Sequence, residues 1–120
     1  MTVMAMTAED HATWLASESA PAAEPETDIA RRGGTLFRAA GCGGCHAVRG
    51  TQATGLVGPD LTHIGSRRAI GADLLPMTQA NLARFIVEGQ ILKPGNRMPP
   101  FTVFSADELD AVAAYLHGLR

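Results

Sequence analysis

Cys42-Gly43-Gly44-Cys45-His46 holds both cysteines of this 120-residue chain, one helical turn apart, with an imidazole directly after the second. Any fold must be built around that turn, so its chemistry comes first. A disulfide across a two-residue gap closes too small a loop to stabilise much. A thioredoxin-like redox pair needs a βαβ surround, which this sequence lacks. Zinc takes about four ligands, and the nearest donor after Cys42, Cys45 and His46 is His63, at no recognisable finger spacing. The remaining reading is covalent haem attachment. Two thiols one turn apart can each add to a vinyl group on one edge of a porphyrin, and the next residue then aims an imidazole at the iron. In that reading Cys42 and Cys45 hold the ring and His46 is the proximal iron ligand.

Haem held in this way makes two further demands. An iron that only carries electrons needs a sixth ligand, and a thioether raises its reduction potential. Met98 lies in Lys93-Pro94-Gly95-Asn96-Arg97-Met98-Pro99-Pro100-Phe101, a proline-stiffened loop able to hold one side chain over the open face. The competing uses are a gap-filling core methionine at Met98, or ligation by Met77 or His63 instead. The second demand is an acceptor for the other ring N–H of the ligating imidazole. Gly58-Pro59-Asp60-Leu61 supplies a candidate, because Pro59 has a carbonyl and lies a loop's length after His46. Leu61 would add apolar wall.

The rest of the chain reads as a mostly helical unit with a short preface. Residues 1–17 begin with a few strand-like residues and continue as a short helix, with Thr7 as N-cap, Asp10 three positions on, and Trp14 and Leu15 beyond. Residues 18–26, rich in Ala, Pro and Glu, bury little surface and read as a linker. From residue 27 to 120 the pattern is all-α. Thr27 and Asp28 open a helix with Ile29, Gly33, Leu36, Phe37 and Ala40 at helical spacing, up to Gly41. A Gly-rich irregular segment follows from Gly50 to Gly71. Thr78 caps a second helix with Leu82, Phe85 and Ile86 as its stripe and Gly89 as its stop. Ser105 and Glu108 form a capping-box pattern ahead of the terminal helix with Leu109, Val112, Ala113 and Leu116. Aromatic residues make up 5% of the chain, few for a core built of protein alone, and a bulky apolar cofactor would fill the deficit. The formal net charge of -2 and the lack of a basic run argue against nucleic acid as a partner. No stretch is apolar and long enough to cross a bilayer, and residues 1–10 lack the basic start and apolar run of a signal peptide.

Residues 27–120 resemble class I c-type cytochromes. The resemblance rests on Gly33 and Phe37 as the GxxxF of the first helix, Cys42 to His46, Gly58 to Leu61, the Met98 loop, and Tyr115-Leu116 in the last helix. It implies the cytochrome c fold: several short helices around one covalently bound haem, the first and last crossing at a glycine with two packed aromatics. It also implies Pro59 as the carbonyl partner of His46 and Met98 as distal ligand. Residues 48–101 are similar, more narrowly, to the cytochrome domain at the C-terminus of subunit II of certain bacterial haem–copper oxidases. There a cupredoxin-like copper domain precedes the cytochrome and ends in a short helix with a Trp-Leu pair, followed by an Ala/Pro linker. Residues 1–17 look like that ending, and no copper-binding loop stands before Thr7. A haem c protein is matured outside the cytoplasm, so a C-terminal portion of a larger membrane-anchored subunit would account for the missing export signal.

The implied function is one-electron transfer through one haem c, as the electron-entry module of an oxidase subunit II. Its partners would be a redox donor protein and, as acceptor, the copper domain and oxidase subunits, outside the cytoplasm and at the membrane only through the parent complex. No catalytic acid, base or nucleophile is expected. The alternatives are a free-standing soluble monohaem cytochrome and, from another class, an enzyme or sensor with an open iron site. Arg49, Arg67, Arg68, Lys93 and Arg97 flank the haem motifs and could steer an acidic donor. Arg67 is the candidate for a haem propionate, since guanidinium matches carboxylate geometry.

Overall fold

A hydroxyl side chain starts each α-helix. In the computed structural model, which describes residues 2–120, the caps are Thr7, Thr27, Thr78 and Ser105. They accept from the backbone N–H of Asp10, Ala30, Asn81 and Glu108 respectively. Each bond satisfies one of the donors that a helix leaves orphaned at its start. At Ser105 the Glu108 carboxylate also accepts from the cap's own N–H, completing the capping box. The helices of the described residues are α1 (Ala8–Ser19), α2 (Asp28–Ala39), α3 (Gln79–Leu92) and α4 (Ala106–Gly118). One-turn 3-10 helices occupy Cys42–Gly44 and Ile64–Ser66. A two-stranded antiparallel ribbon pairs β1 (Ala69–Ile70) with β2 (Leu75–Pro76), with Ala69 opposite Pro76 and Ile70 opposite Leu75. The strand-like start expected within residues 1–17 is not a strand: residues 2–7 have no regular structure, and no described strand pairs with them. Met1 lies outside the described residues.

The core is organised by the crossing of α2 and α4. The buried face of α2 is Ala30, Gly33, Gly34 and Phe37, and Ile29, expected on that face, is exposed. The register is one residue round from the sequence expectation because two glycines, rather than bulky residues, set the contact. A Cβ at Gly33 would overlap the Ala111 carbonyl and come within 2.9 Å of Tyr115 Cβ. The backbones therefore approach more closely than any side chain allows. One helical turn on, the Phe37 and Tyr115 rings pack with centroids 5.5 Å apart at 56°. Tyr115 is buried, which raises its pKa; the Arg38 charge opposes that shift and Glu24 adds to it. α3 lies against α4 and buries Leu82, Ile86 and Gly89.

Gly89 does not end α3 as the sequence suggested. The helix continues to Leu92, and Lys93 leaves it ahead of Pro94. Gly89 is an interior position whose missing side chain makes room for Asn96. Gly41 does end α2: at φ 78° it takes the left-handed conformation that favours glycine, and its N–H returns to the Arg38 carbonyl. The chain thus leaves α2 and enters the cysteine turn at a fixed angle.

α1 buries none of its residues, and Trp14 and Leu15 are about half exposed. The segment that follows is held more firmly than its composition implies. Ala22 packs against the core, and its N–H donates to the Arg49 carbonyl at 2.9 Å. No helix among the described residues is long and apolar enough to cross a membrane.

Candidate haem site

The cysteine turn is a tight coil of backbone closed on itself. Both Cys45 N–H and His46 N–H donate to the Cys42 carbonyl, at 3.1 and 3.0 Å. Cys42 is half-buried, Cys45 is exposed, and neither is in a disulfide. Burial raises the Cys42 thiol pKa, a backbone hydrogen bond lowers it in part, and the neighbouring Cys45 raises it further. The turn is clamped from the far side by the loop after it. Gly55 N–H is shared between the Gly43 and His46 carbonyls, and a Cβ at Gly55 would run into the Cys45 and Gly44 backbone. Ala47 and Thr54 form an antiparallel bridge that closes this loop.

His46 is oriented by the next stretch. Its Nδ1 lies 2.7 Å from the Pro59 carbonyl, so Nδ1 carries the proton and donates. The tautomer this sets leaves Nε2 as a lone-pair donor, with no hydrogen-bond partner among the described residues. Gly58 N–H donates to the Cys45 carbonyl at 2.7 Å, and a Cβ at Gly58 would sit within 2.7 Å of His46 Nδ1. Leu61 is buried, and its N–H donates to the Ala47 carbonyl at 2.8 Å, which fixes the loop carrying Pro59.

Asp60 anchors the same loop. Its carboxylate accepts from Thr62 N–H at 2.8 Å and from the Arg49 guanidinium at 2.8 Å. Burial alone would raise its pKa, but the Thr62 bonds and the Arg49 charge outweigh it and hold the carboxyl below its ordinary range.

Met98 is half-buried and packed against the apolar core, and so is Met77. His63, the third candidate distal ligand, is buried and has its Nε2 2.9 Å from the Ala20 carbonyl. Arg67 is exposed and donates to the Asp60 carbonyl at 3.0 Å. Arg49 and Arg68 are also engaged, Arg49 with Asp60 and with the Glu18 and Ala20 carbonyls, Arg68 with the Met4 sulfur. Lys93 and Arg97 take part in none of the ion pairs among the described residues. Of the expected cationic fringe, therefore, Arg49 serves chiefly to hold protein together.

The chemistry of the donor set fits a covalently attached haem. Two free thiols and an imidazole with Nε2 available stand on one turn, and half-buried apolar side chains (Leu75, Met77, Phe85, Met98, Phe101 and Phe104) pack against the core. Apolar groups only partly covered by protein are what a porphyrin face requires. No three His, Cys, Asp or Glu side chains among the described residues gather as a metal-ion site.

Sequence reasoning missed Arg49, His63 and Asn96 as structural parts of this region. Their partners are backbone carbonyls, a loop amide and, for Arg49, the Asp60 carboxylate in the next loop, and none of these pairings is marked by a local sequence pattern.

The cytochrome c family matches residues 30–120, and the chain belongs to that family. A cytochrome c domain implies haem c binding, and Cys42, Cys45 and His46 are consistent with a CXXCH motif. Over 118 residues the chain is 35% identical to the cytochrome c oxidase subunit 2 of Alkalihalophilus pseudofirmus, spanning 98% of this chain and 34% of that protein. It is 27% identical to the Bacillus subtilis cytochrome c oxidase subunit 2, again over 98% of this chain and 34% of the relative. With the corresponding subunit of Bacillus sp. (strain PS3) it shares 30% identity over 77% of this chain and 26% of the relative. The chain thus spans about a third or less of the length of the relatives it matches.

Proposed function

We propose that this domain is a one-electron relay, the electron-entry module of a cytochrome c oxidase subunit II. Cys42 and Cys45 would hold the haem through thioether bonds, His46 Nε2 and the Met98 sulfur would be its iron ligands, and Leu61 would add apolar wall. The haem supplies a reversible ferric–ferrous couple. The protein's contribution is orientation and environment. The Pro59 carbonyl fixes the His46 ring and raises its basicity, apolar side chains keep water from the ring, and a methionine ligand raises the potential. Arg67, whose guanidinium donates to the Asp60 carbonyl, is the candidate for a haem carboxylate because guanidinium matches carboxylate geometry.

The observation that carries the reading is the His46–Pro59 bond at 2.7 Å beside two unpaired thiols, an imidazole already turned with one nitrogen available. The oxidase assignment draws support from similarity that extends over 98% of the chain, into the residues before the cytochrome domain. That extent favours an oxidase subunit over a free-standing carrier, and it supports reading residues 1–17 as the end of a copper domain and 18–26 as a linker. The donor is then a reduced cytochrome or similar protein, the acceptor a copper centre, and the location extracytoplasmic.

The test is expression with haem-maturation machinery. A sharp c-type α-band in the reduced protein that survives acid-acetone extraction, with no carbon monoxide binding, is the expected result. Extractable haem, a colourless protein, or rapid carbon monoxide binding would overturn the relay.

A further inference from the structure

Both peptide groups of Met98 are held by side-chain amides. Asn96 Oδ1 accepts from Met98 N–H at 3.1 Å, and Gln90 Nε2 donates to the Met98 carbonyl at 3.1 Å. The loop that carries Met98 is also stapled back onto α3, since Phe101 N–H donates to the Ile86 carbonyl at 3.1 Å. The orientation of the Asn96 carboxamide is unambiguous, because only its oxygen can accept from an N–H. Its NH2 group is then the free end, and that group is buried without an acceptor among the described residues. It rests over α3 where Gly89 leaves space: a Cβ there would lie 2.9 Å from Nδ2.

A buried donor with nothing to donate to is costly, so folded proteins rarely keep one. An isolated orphan would be a defect. This one is two residues from Met98, on a side chain whose other end already grips the Met98 backbone. An acceptor that arrives only when the haem is bound would remove the cost. The thioether sulfur of Met98 is such a group, a weak acceptor that must turn toward the iron.

We propose that Asn96 is a positioning residue for the Met98 sulfur: its oxygen locks the loop backbone, and its buried NH2 donates to the thioether once that sulfur binds the iron. The inference rests on Met98 as distal ligand. Gln90 holds the following peptide group through the Met98 carbonyl and assists from the surface. The effect is on ligand retention. A sulfur held by its own loop is harder to displace by an outside ligand than one on an unbraced loop.

Imidazole titration of the ferric haem-loaded protein tests this, read through the near-infrared band that reports methionine bonded to iron. The wild-type protein should show the band and resist displacement. Asn96→Ala, which removes both contacts, should bind imidazole at least about tenfold more tightly. Asn96→Asp keeps the oxygen on Met98 N–H and removes the donor, so it should show an intermediate gain. Gln90→Ala should show a smaller one. Wild-type affinity in both Asn96 variants would overturn the proposal while leaving Met98 as the ligand. A wild-type response in Asn96→Asp alone would overturn the donor half and leave only the backbone lock. Absence of the band in the wild-type protein would overturn the Met98 reading itself, and this inference with it. Should Asn96→Ala fail to mature, Asn96→Asp and Gln90→Ala still decide between these results.

Discussion

Gly58 shows how a single residue positions the chemistry. Its position is filled by the His46 ring, so a methyl group there would press on the imidazole within 2.7 Å of Nδ1. Gly58→Ala should therefore leave both thioether links in place, as read by mass, yet lower stability to chemical denaturation by about 1–3 kcal/mol. An unchanged denaturation midpoint would mean that the ring is not seated there. The sequence made the neighbourhood of this glycine legible, since Gly58-Pro59-Asp60-Leu61 was readable as the segment that supplies a carbonyl to His46. The glycine's own reason was not, because it is a steric contact with a residue 12 positions earlier. His63 and Asn96 were opaque for a related cause. A histidine donating to the carbonyl of Ala20 looks, in sequence, like any loop histidine.

At the scale of elements, hydroxyl caps and the glycine stop at Gly41 were readable because they act within a few residues of themselves, whereas Gly89 proved an interior packing position rather than a stop. Thr27, Thr78 and Ser105 all begin the helices expected of them. Ser105→Ala removes the capping box ahead of α4 and should cost about 1 kcal/mol, measured by urea denaturation. What the sequence blurred was which face of α2 turns inward, since apolar spacing alone favoured Ile29 over Ala30 and Gly34. The contact partner decided that, and the partner is α4, far along the chain. Gly33→Ala should be much more harmful than Ser105→Ala, because the added carbon overlaps the Ala111 carbonyl and neither helix can yield without separating Phe37 from Tyr115. A loss of about 3 kcal/mol is expected. A loss no larger than that of Ser105→Ala would show that the crossing is looser than described.

In the whole molecule, the segment between α1 and α2 is tied to the loop that orients His46. Arg49 reaches the Glu18 and Ala20 carbonyls and pairs with Asp60, while His63 reaches the Ala20 carbonyl. Residues 18–22 are therefore fastened to that loop. Because the Asp60 pKa is lowered in the folded protein, its contribution to stability is present above the ordinary carboxylate pKa, about 4. It is lost as pH falls through the lower folded value. Cleavage of the 18–26 segment by an acid-active protease should thus accelerate below about pH 4 more in the wild type than in Asp60→Asn, and a protease active at neutral pH should cut Asp60→Asn faster than the wild type. Equal cleavage of wild type and variant at neutral pH would show that the tie is unimportant. The relay itself is tested most directly by a spectroelectrochemical titration of the wild-type protein beside Met98→Ala. The wild type should give one reversible one-electron wave, and the substitution should lower its midpoint by on the order of a hundred millivolts. A wave that Met98→Ala leaves unmoved would contradict a haem held between His46 and Met98.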